Sequence, residues 1–409
     1  MPPSRKLQVA SWALYDFANT IFSMNMLSMY FPLWVTQDMG GRDIYYGIGL
    51  SISTLAAGLT MPVIGVISDQ KKKRVPFLIG LTLLCVTFTA SISLSGSLAA
   101  AIIIFAVANY GYQAALAPYD ALLPEVSRGR NIGWVSGFGV ALGYVGSIGG
   151  LYMVKPFVAA HGRSAAFIPT AVLFLLFALP AFIFVKDSHA RPRAGKPDIA
   201  RGYRRIKYTL MNTRRYPGLL RFLVANMVYS DAVNTVIVFM GVYASKVIGM
   251  GDESLRAFLS VSTVSAVVGS YGIGHVTGKF GPKRTLVAVL FLWLFTLVLA
   301  GLSMSRAAFW AVGPLAGISL GGTWVSSRTL VAELTPPRKF GEVYGLYNLG
   351  GKFGFVVGPL VWGGIILVFE PLGMVRYRIA IFSLAVFIAA ALWLLRKVPG
   401  RNTLNSSPP

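Results

Sequence analysis

Apolar segments of roughly 20 residues, long enough to cross a bilayer as a helix, recur along the whole chain. Within each segment the apolar residues are continuous rather than alternating, which favours helices over the strands of a membrane barrel. The pattern therefore predicts twelve membrane-spanning helices. Their approximate bounds are 8–35, 46–67, 76–95, 97–121, 132–155, 164–185, 218–246, 255–276, 284–303, 306–332, 341–368 and 374–395.

The composition is also typical of a membrane protein. Of the 409 residues, 55% are hydrophobic and only 12% are charged, whereas soluble domains have about a quarter charged residues. The first apolar segment contains Asp16 and Asn19 and lacks the cleavage site of a signal peptide, so we expect this helix to be retained. The single cysteine, Cys85, lies in an apolar segment and is expected to be buried and unreactive.

The net charge of +23 is distributed unevenly among the connections. Most Lys and Arg residues lie near the termini and in alternate connections, chiefly 71–74, 128–130, 186–221, 279–284 and 338–339. By the positive-inside rule, we expect both termini to lie in the cytoplasm. We expect the chain to be a multi-pass protein of the plasma (inner) membrane. The basic excess is thus a topology signal, and nucleic-acid binding is not expected.

The longest connection, residues 186–217, is polar and basic and contains Pro192 and Pro197. It predicts a cytoplasmic linker between an N-terminal six-helix bundle, 1–185, and a C-terminal bundle with a short cytoplasmic tail, 218–409.

Motifs of the first half recur in the second at a nearly constant offset. Asp16-Phe-Ala-Asn19-Thr20 corresponds to Asp231-Ala-Val-Asn234-Thr235, an offset of 215 residues (231 − 16). Gly65–Arg74 corresponds to Gly274–Arg284, Asp120–Glu125 to Arg328–Glu333, and Gly143 and Gly149 to Lys352 and Gly358, with offsets of 209 (274 − 65), 208 (328 − 120) and 209 (358 − 149). A duplicated six-helix unit accounts for all four, and repeats of this kind build many transporters.

The segment Gly65-x-x-x-Asp69-x-x-x-Lys73-Arg74 resembles the loop signature of the major facilitator superfamily. Within that superfamily, Ser11–Thr20, Tyr119–Glu125 and Gly139–Gly146 are similar to the vacuole effluxer-like branch, which includes a fungal autophagy-related vacuolar amino-acid effluxer and bacterial permeases. The resemblance implies an all-α polytopic membrane protein with the major facilitator fold, its twelve transmembrane helices forming two pseudo-symmetric six-helix bundles.

The chain departs from the loop signature at two positions. Lys72 replaces the usual glycine, and Gly278 replaces the acidic residue of the second copy, which argues against a gating ion pair in the second half.

An ionisable residue inside the hydrocarbon is costly and is therefore a functional candidate. Asp16 and Asn19 share one helix face, and Asp231 and Asn234 repeat the pair. We expect both faces to line one central cavity, with Arg328 and Lys352 on its other wall to hold an anionic group. The alternative is that these groups only hydrogen-bond neighbouring helices or pair with other buried charges.

Aromatic and acidic residues complete the candidate set. The aromatic residues near the polar positions could contact substrate or simply pack between helices; they are Tyr15, Tyr144, Trp324 and Tyr347. The residues expected to act in gating are Gly65, Asp69, Arg74, Asp120, Glu125 and Glu333.

The motifs of other protein classes are missing from the sequence. It contains no metal-ligand cluster and no catalytic triad, and Gly350-Gly351-Lys352 is followed by Phe353 rather than the Ser or Thr of an ATP-binding loop. We therefore expect no enzymatic activity, no cofactor and no bound metal.

These features predict secondary active transport of a small polar solute, with amino acids as candidates, by alternating access in a monomer coupled to a proton or cation. Two alternatives stay open at this stage. An Asp early in the first span also resembles the glycoside–cation symporters, and a transporter-like sensor or lipid-handling protein would move no solute.

Overall fold

The computed structural model describes residues 4–41, 43–71, 73–128, 130–187, 218–353 and 357–399. Within these ranges the chain is almost entirely helical, with no β-strand. The predicted linker 186–217 lies outside them except for its first two residues.

The helices of the first half follow the predicted spans closely. They are α1 Arg5–Phe22, α2 Tyr30–Leu33, α3 Asp43–Lys71, α4 Val75–Ser91, α5 Leu98–Val126, α6 Ile132–His161 and α7 Phe167–Phe184.

The second half repeats this arrangement. Its helices are α8 Leu219–Lys246, α9 Asp252–Phe280, α10 Pro282–Leu302, α11 Arg306–Trp310, α12 Val312–Leu334, α13 Phe340–Phe353, α14 Val357–Val368 and α15 Val375–Arg396.

Eleven helical segments within the described ranges are long and apolar enough to cross a membrane. The first predicted span is not among them, because polar residues such as Asp16, Asn19 and Asn25 make it less apolar than the others. It is also interrupted by π-helical turns at Ser23–Met29 and Trp34–Asp38. With this interrupted span counted, the described residues contain the twelve crossings that the apolar pattern predicts.

The wide turn in the first span has a local cause and a tertiary support. The backbone N–H of Tyr30 donates to the carbonyl of Asn25, five residues back, and Pro32 has no N–H to donate. The Asn25 side chain is buried, and its Nδ2 donates to the Gly150 carbonyl (3.3 Å) and to Thr170 Oγ1 (3.1 Å). The turn is thus tied to α6 and α7, and π-helical turns of this type are frequent at functional sites.

The chain forms two compact units. The first comprises Met1–Val135, Leu142–Lys207 and Pro337–Asn348, and the second comprises Ser136–Ala141, Tyr208–Pro336 and Leu349–Pro409. Helices α6 and α13 therefore each contribute residues to both units.

Small residues allow the helices to pack closely within each unit. Between α4 and α5 of the first unit, a Cβ on Gly111 would lie 2.7 Å from the Leu81 carbonyl oxygen and 2.9 Å from the Cys85 nitrogen. Cys85 itself is buried, as predicted. Outward-facing side chains such as Ile103 and Leu176 are apolar and exposed, as a lipid-facing surface requires.

Gly111→Ala should destabilise the protein, because both atoms that the new methyl group would approach belong to backbone that moves only with its helix. We expect a loss of about 1–3 kcal/mol in the free energy of unfolding, measured by thermal unfolding in detergent. Gly80→Ala is the matched control, since a Cβ on Gly80 of α4 meets nothing within 4 Å. Equal stability of the two variants would contradict close α4–α5 contact.

Candidate functional site

A buried ion-pair network lies where α3 leads into α4. Asp69 Oδ1 accepts hydrogen bonds from Arg74 Nη2 (2.7 Å) and Nε (3.3 Å). Arg74 Nη1 donates to Glu125 Oε1 on α5 (2.5 Å). One planar guanidinium thus joins two carboxylates. Burial disfavours the charged form of Arg74, but the charges of Asp69 and Glu125 outweigh it and raise the pKa of this side chain.

The same Asp69 carboxylate holds the first turn of α13. Its Oδ1 accepts the backbone N–H of Gly341 (3.1 Å), and its Oδ2 accepts that of Glu342 (3.1 Å). These N–H groups have no partner within their own helix, and the helix dipole favours a negative charge at this end. We call the contact of Asp69 and Arg74 with the first turn of α13 the Asp69 latch.

Glycine is required on both sides of the Asp69 latch. A Cβ on Gly65 would overlap the Gly341 carbonyl oxygen, and a Cβ on Gly341 would lie 2.5 Å from the Gly65 carbonyl oxygen. Four of the residues expected to act in gating, Gly65, Asp69, Arg74 and Glu125, therefore meet at one place in the first unit.

The sequence reading missed one member of this network, Asp187. Its Oδ1 accepts the backbone N–H groups of Arg74 (2.6 Å) and Val75 (3.1 Å) at the start of α4. Burial raises the pKa of Asp187, and these two hydrogen bonds oppose that shift. Asp187 follows α7, far from Arg74 along the chain, and no motif marks it.

In the first unit, Asp16 and Thr20 of α1 lie against Gly143 of α6. Thr20 Oγ1 donates to the Gly143 carbonyl (2.5 Å), and a Cβ on Gly143 would lie 3.4 Å from the Asp16 carboxyl carbon. Asp16 and Asn19 are buried. Asn19 Oδ1 accepts no hydrogen bond from the described residues. These four residues are called the Asp16 cluster below.

In the second unit, Asp231 and Thr235 of α8 lie against Gly358 of α14. The backbone N–H of Gly358 donates to Asp231 Oδ2 (2.6 Å), and Thr235 Oγ1 donates to the Asp231 carbonyl (2.7 Å). A Cβ on Gly358 would overlap Thr235 Oγ1. Asn234, which precedes Thr235 in the chain, is also buried. These residues are the Asp231 cluster.

The two clusters correct the register of the internal repeat. Asp16, Thr20 and Gly143 correspond to Asp231, Thr235 and Gly358 at one common offset of 215 residues (358 − 143). The expected match of Gly149 with Gly358 is therefore wrong, since a Cβ on Gly149 would instead meet the Phe17 ring. In the corrected register Lys352 corresponds to Gly137 rather than Gly143. Glycine spacing alone predicts the wrong register here, because α6 contains several glycines that can be matched with those of the second half.

A second polar group in the first unit was also missed. Asn109 Nδ2 of α5 donates to Ser53 Oγ (2.8 Å) and Thr54 Oγ1 (3.3 Å) of α3. Gln113 Nε2 donates to Asn109 Oδ1 (3.5 Å), and Gln113 Oε1 is buried with no hydrogen bond from the described residues. The only sequence signal was two amides one helical turn apart within an apolar span.

The remaining candidates occupy varied environments. Tyr15 is fully buried, stacks on Tyr119 and shares a hydrogen bond with Thr82 (2.7 Å), which favours a role in helix packing. Asp120 Oδ2 accepts a hydrogen bond from Asn348 (2.9 Å). Tyr347 is buried edge-on to Tyr344. The half-buried candidates are Tyr144, Trp324, Arg328, Glu333 and Lys352.

Solved transporters share this arrangement of helices. The crystal structure of the human organic anion transporter MFSD10 (TETRAN) superposes with a TM-score of 0.75 at 14% identity, covering 96% of this chain and 100% of that one. A bacterial homologue of the iron transporter ferroportin, in an outward-facing state, gives 0.74 at 12% identity over 96% and 98% of the two chains. The chain is a multi-pass helical membrane protein with the major facilitator fold.

Sequence relatives narrow this class to a family. Residues 130–406 match the family described as vacuole effluxer Atg22 like, and the chain belongs to that family. It is 28% identical over 423 residues to the uncharacterised MFS-type transporter YxiO of Bacillus subtilis (strain 168), covering 98% of this chain and 96% of that protein. These matches confirm the predicted superfamily and branch, and they identify an MFS-type transporter.

The fungal members of the family are longer. Autophagy-related protein 22-1 of Neosartorya fischeri is 25% identical over 292 residues, which are 64% of this chain but 47% of the fungal protein.

Asp69→Asn should destabilise the protein, because it removes the charge that both Arg74 and the start of α13 require. We expect a loss of roughly 3 kcal/mol in the free energy of unfolding, as for other broken buried ion pairs, measured in detergent. The control is Asp38→Asn. Asp38 pairs with Arg163 at a partly exposed site, where such pairs contribute about 1 kcal/mol or less. Similar losses in both variants would rule out a dominant role for the Asp69 latch.

Proposed function

We propose that this protein is a secondary active transporter that moves a small polar solute of the amino-acid type by alternating access. The observation that carries the proposal is the repeated cluster of Asp, Asn, Thr and Gly, found once in each unit. Polar groups inside a membrane-spanning helix carry a free-energy cost, and they usually line substrate or ion pathways. A repeated polar cluster on the first helix of each half is consistent with one substrate pathway built from both.

The types of side chain favour a zwitterionic solute. A carboxylate such as Asp16 suits an ammonium group, the Asn side chains offer both donors and acceptors, and Arg328 or Lys352 suits a carboxylate. Membership of the vacuole effluxer Atg22-like family supports the same class of solute. That both clusters and the two basic residues face one cavity stays a prediction.

The Asp69 latch suits a gate. It joins an ion pair to the first turn of α13 through a few directional hydrogen bonds. Because all of these bonds share the Asp69 carboxylate, they can form and break together. In the proposed cycle it holds one conformational state closed and opens in the other. Asp120 and Glu333 are proposed to act together with the Asp69 latch. The movement of the solute is proposed to be coupled to that of a proton or cation.

The orientation is proposed from charge alone. From the distribution of basic residues we propose that both termini and the 186–217 linker lie in the cytoplasm. The proposed location is the plasma membrane, and the proposed state is a monomer. Bundles at 1–185 and 218–409 on either side of that linker remain the proposed domain division.

Purified protein should be stabilised by its solute in a thermal-shift screen of amino acids, peptides, sugars and nucleosides, and it should move that solute into proteoliposomes. Lys352→Ala should weaken binding of a zwitterionic solute about tenfold, the effect of losing about 1.4 kcal/mol of contact energy. Lys397→Ala is the control, because Lys397 is exposed.

Each result of this screen decides between functions. Stabilisation by sugars alone would replace the amino-acid proposal with glycoside transport. Binding without flux in proteoliposomes would favour a sensor, and equal loss in both lysine variants would remove Lys352 from the site.

A cysteine introduced as Ser188→Cys should react with an impermeant thiol reagent only when the cytoplasmic side is accessible. Ser305→Cys, at an exposed position in an opposite connection, should react in intact cells and serves as the control. Native Cys85 is buried and should give little background. Labelling of Ser188→Cys in intact cells would reverse the orientation.

A further inference from the structure

The Asp16 and Asp231 clusters differ in one donor. The backbone N–H of Gly358 in α14 donates to Asp231 Oδ2 (2.6 Å). Gly143 lies well inside the continuous α6. Its N–H is used by the helix, as in any helix interior, and Gly143 cannot offer Asp16 the same bond.

The Asp231 carboxylate is only half satisfied. Oδ2 takes the Gly358 N–H, whereas Oδ1 is buried and accepts no hydrogen bond from the described residues. The residue is 3% exposed. An ionised oxygen in such a place is unfavourable unless it binds something positive.

No charge from a neighbouring helix meets that need within the described part of the chain. Helix α14 carries no titratable side chain. On α15, Arg378 donates to the carbonyls of Gly301 and Ser303. On α8 itself, Tyr243 donates to the Ala300 carbonyl, and Tyr229 to Asn226.

The remaining titratable groups around α8 do not pair with Asp231 either. Arg328 and Glu333 on α12 are half-buried, and Tyr271 and His275 on α9 are exposed and in contact with each other. None of the ion pairs between described residues includes Asp231.

We propose that Asp231 is the residue that binds the coupling proton, which is taken up at Oδ1 and released again in each cycle. This rests on the proposed transport function. A hydronium ion transfers a proton to Oδ1, which breaks one O–H bond of hydronium, forms the O–H bond of the neutral acid and leaves water; release reverses the step.

Protonation would be transmitted to α14. The neutral acid accepts the Gly358 N–H more weakly than the carboxylate does, so proton uptake loosens Gly358 from α8. The N–H of Gly143 is used within α6, so Asp16 lacks this particular link and is assigned to the solute. The two carboxylates, equivalent in sequence, thereby take different tasks.

Protons themselves are the probe for this site, so the test needs no known solute. Infrared difference spectra of the reconstituted full chain, recorded as pH is stepped, should contain a carboxylic C=O band that titrates. The band should be lost in Asp231→Asn and kept in Asp16→Asn. A D231N spectrum identical to wild type, or loss of the band in D16N alone, would overturn the assignment.

Gly358→Ala tests the link to α14 without removing the carboxylate. The new Cβ overlaps Thr235 Oγ1 and would lie 3.2 Å from Asp231 Oδ1, so α14 must shift and the N–H bond to Oδ2 is lost. Because that bond favours the ionised form, the band midpoint should move up by about one pH unit. Gly364→Ala, whose Cβ meets nothing within 4 Å on the same helix, should leave the midpoint unchanged.

Outcomes for the proton site and for transport separate cleanly. An unmoved midpoint in Gly358→Ala would overturn the coupling to α14. If the band behaves as expected but no solute moves in proteoliposomes, the proton site stands and the transport proposal falls. If solute moves and its flux drives no proton flux, while D231N transports uphill like wild type, the coupling role falls and transport stands.

Discussion

A helix that begins inside an apolar protein exposes N–H groups without acceptors, and an ionised carboxylate there lacks donors; each is costly alone. This protein solves both problems with the same contact. Asp69 accepts the N–H groups of Gly341 and Glu342 in the first turn of α13, and Asp231 accepts that of Gly358 in α14. Both described parts of the segment predicted as 341–368 therefore donate to a carboxylate. The carboxylates, in turn, are held in place by backbone, which cannot rotate away as a side chain can.

Such contacts require backbones to approach more closely than a methyl group permits. Gly65 and Gly341 bring α3 against the start of α13, and Gly358 brings α14 against α8. Small residues are the usual means of close helix approach in membranes, where the hydrophobic effect does not drive helices together. Here the glycines also set the distance between a carboxylate and its donor. A substitution at these positions would therefore alter charge stabilisation as well as helix contact.

The two halves have the same residues at equivalent sequence positions, but the hydrogen-bond partners of those residues differ. Asp16, Thr20 and Gly143 recur as Asp231, Thr235 and Gly358 at one offset. Gly143 lies in the interior of α6, where the helix uses its N–H, whereas the Gly358 N–H donates to Asp231. The two carboxylates thus occupy equivalent sequence positions but differ in their surroundings. A transporter that must handle both a solute and an ion has a use for such a difference.

The sequence alone was sufficient for the fold, because continuous apolar segments and a repeated loop signature depend on the chain's own composition and order. It also indicated Asp16, Asp231, Asp69 and Arg74, since a charge in an apolar segment stands out without any structure. Only the tertiary structure decided their partners. Asp187 reaches Arg74 across more than a hundred residues, and Gly143 rather than Gly149 is the counterpart of Gly358. Partners of this kind depend on which helices face each other, and hydropathy does not reveal this because the buried faces of different helices are all apolar.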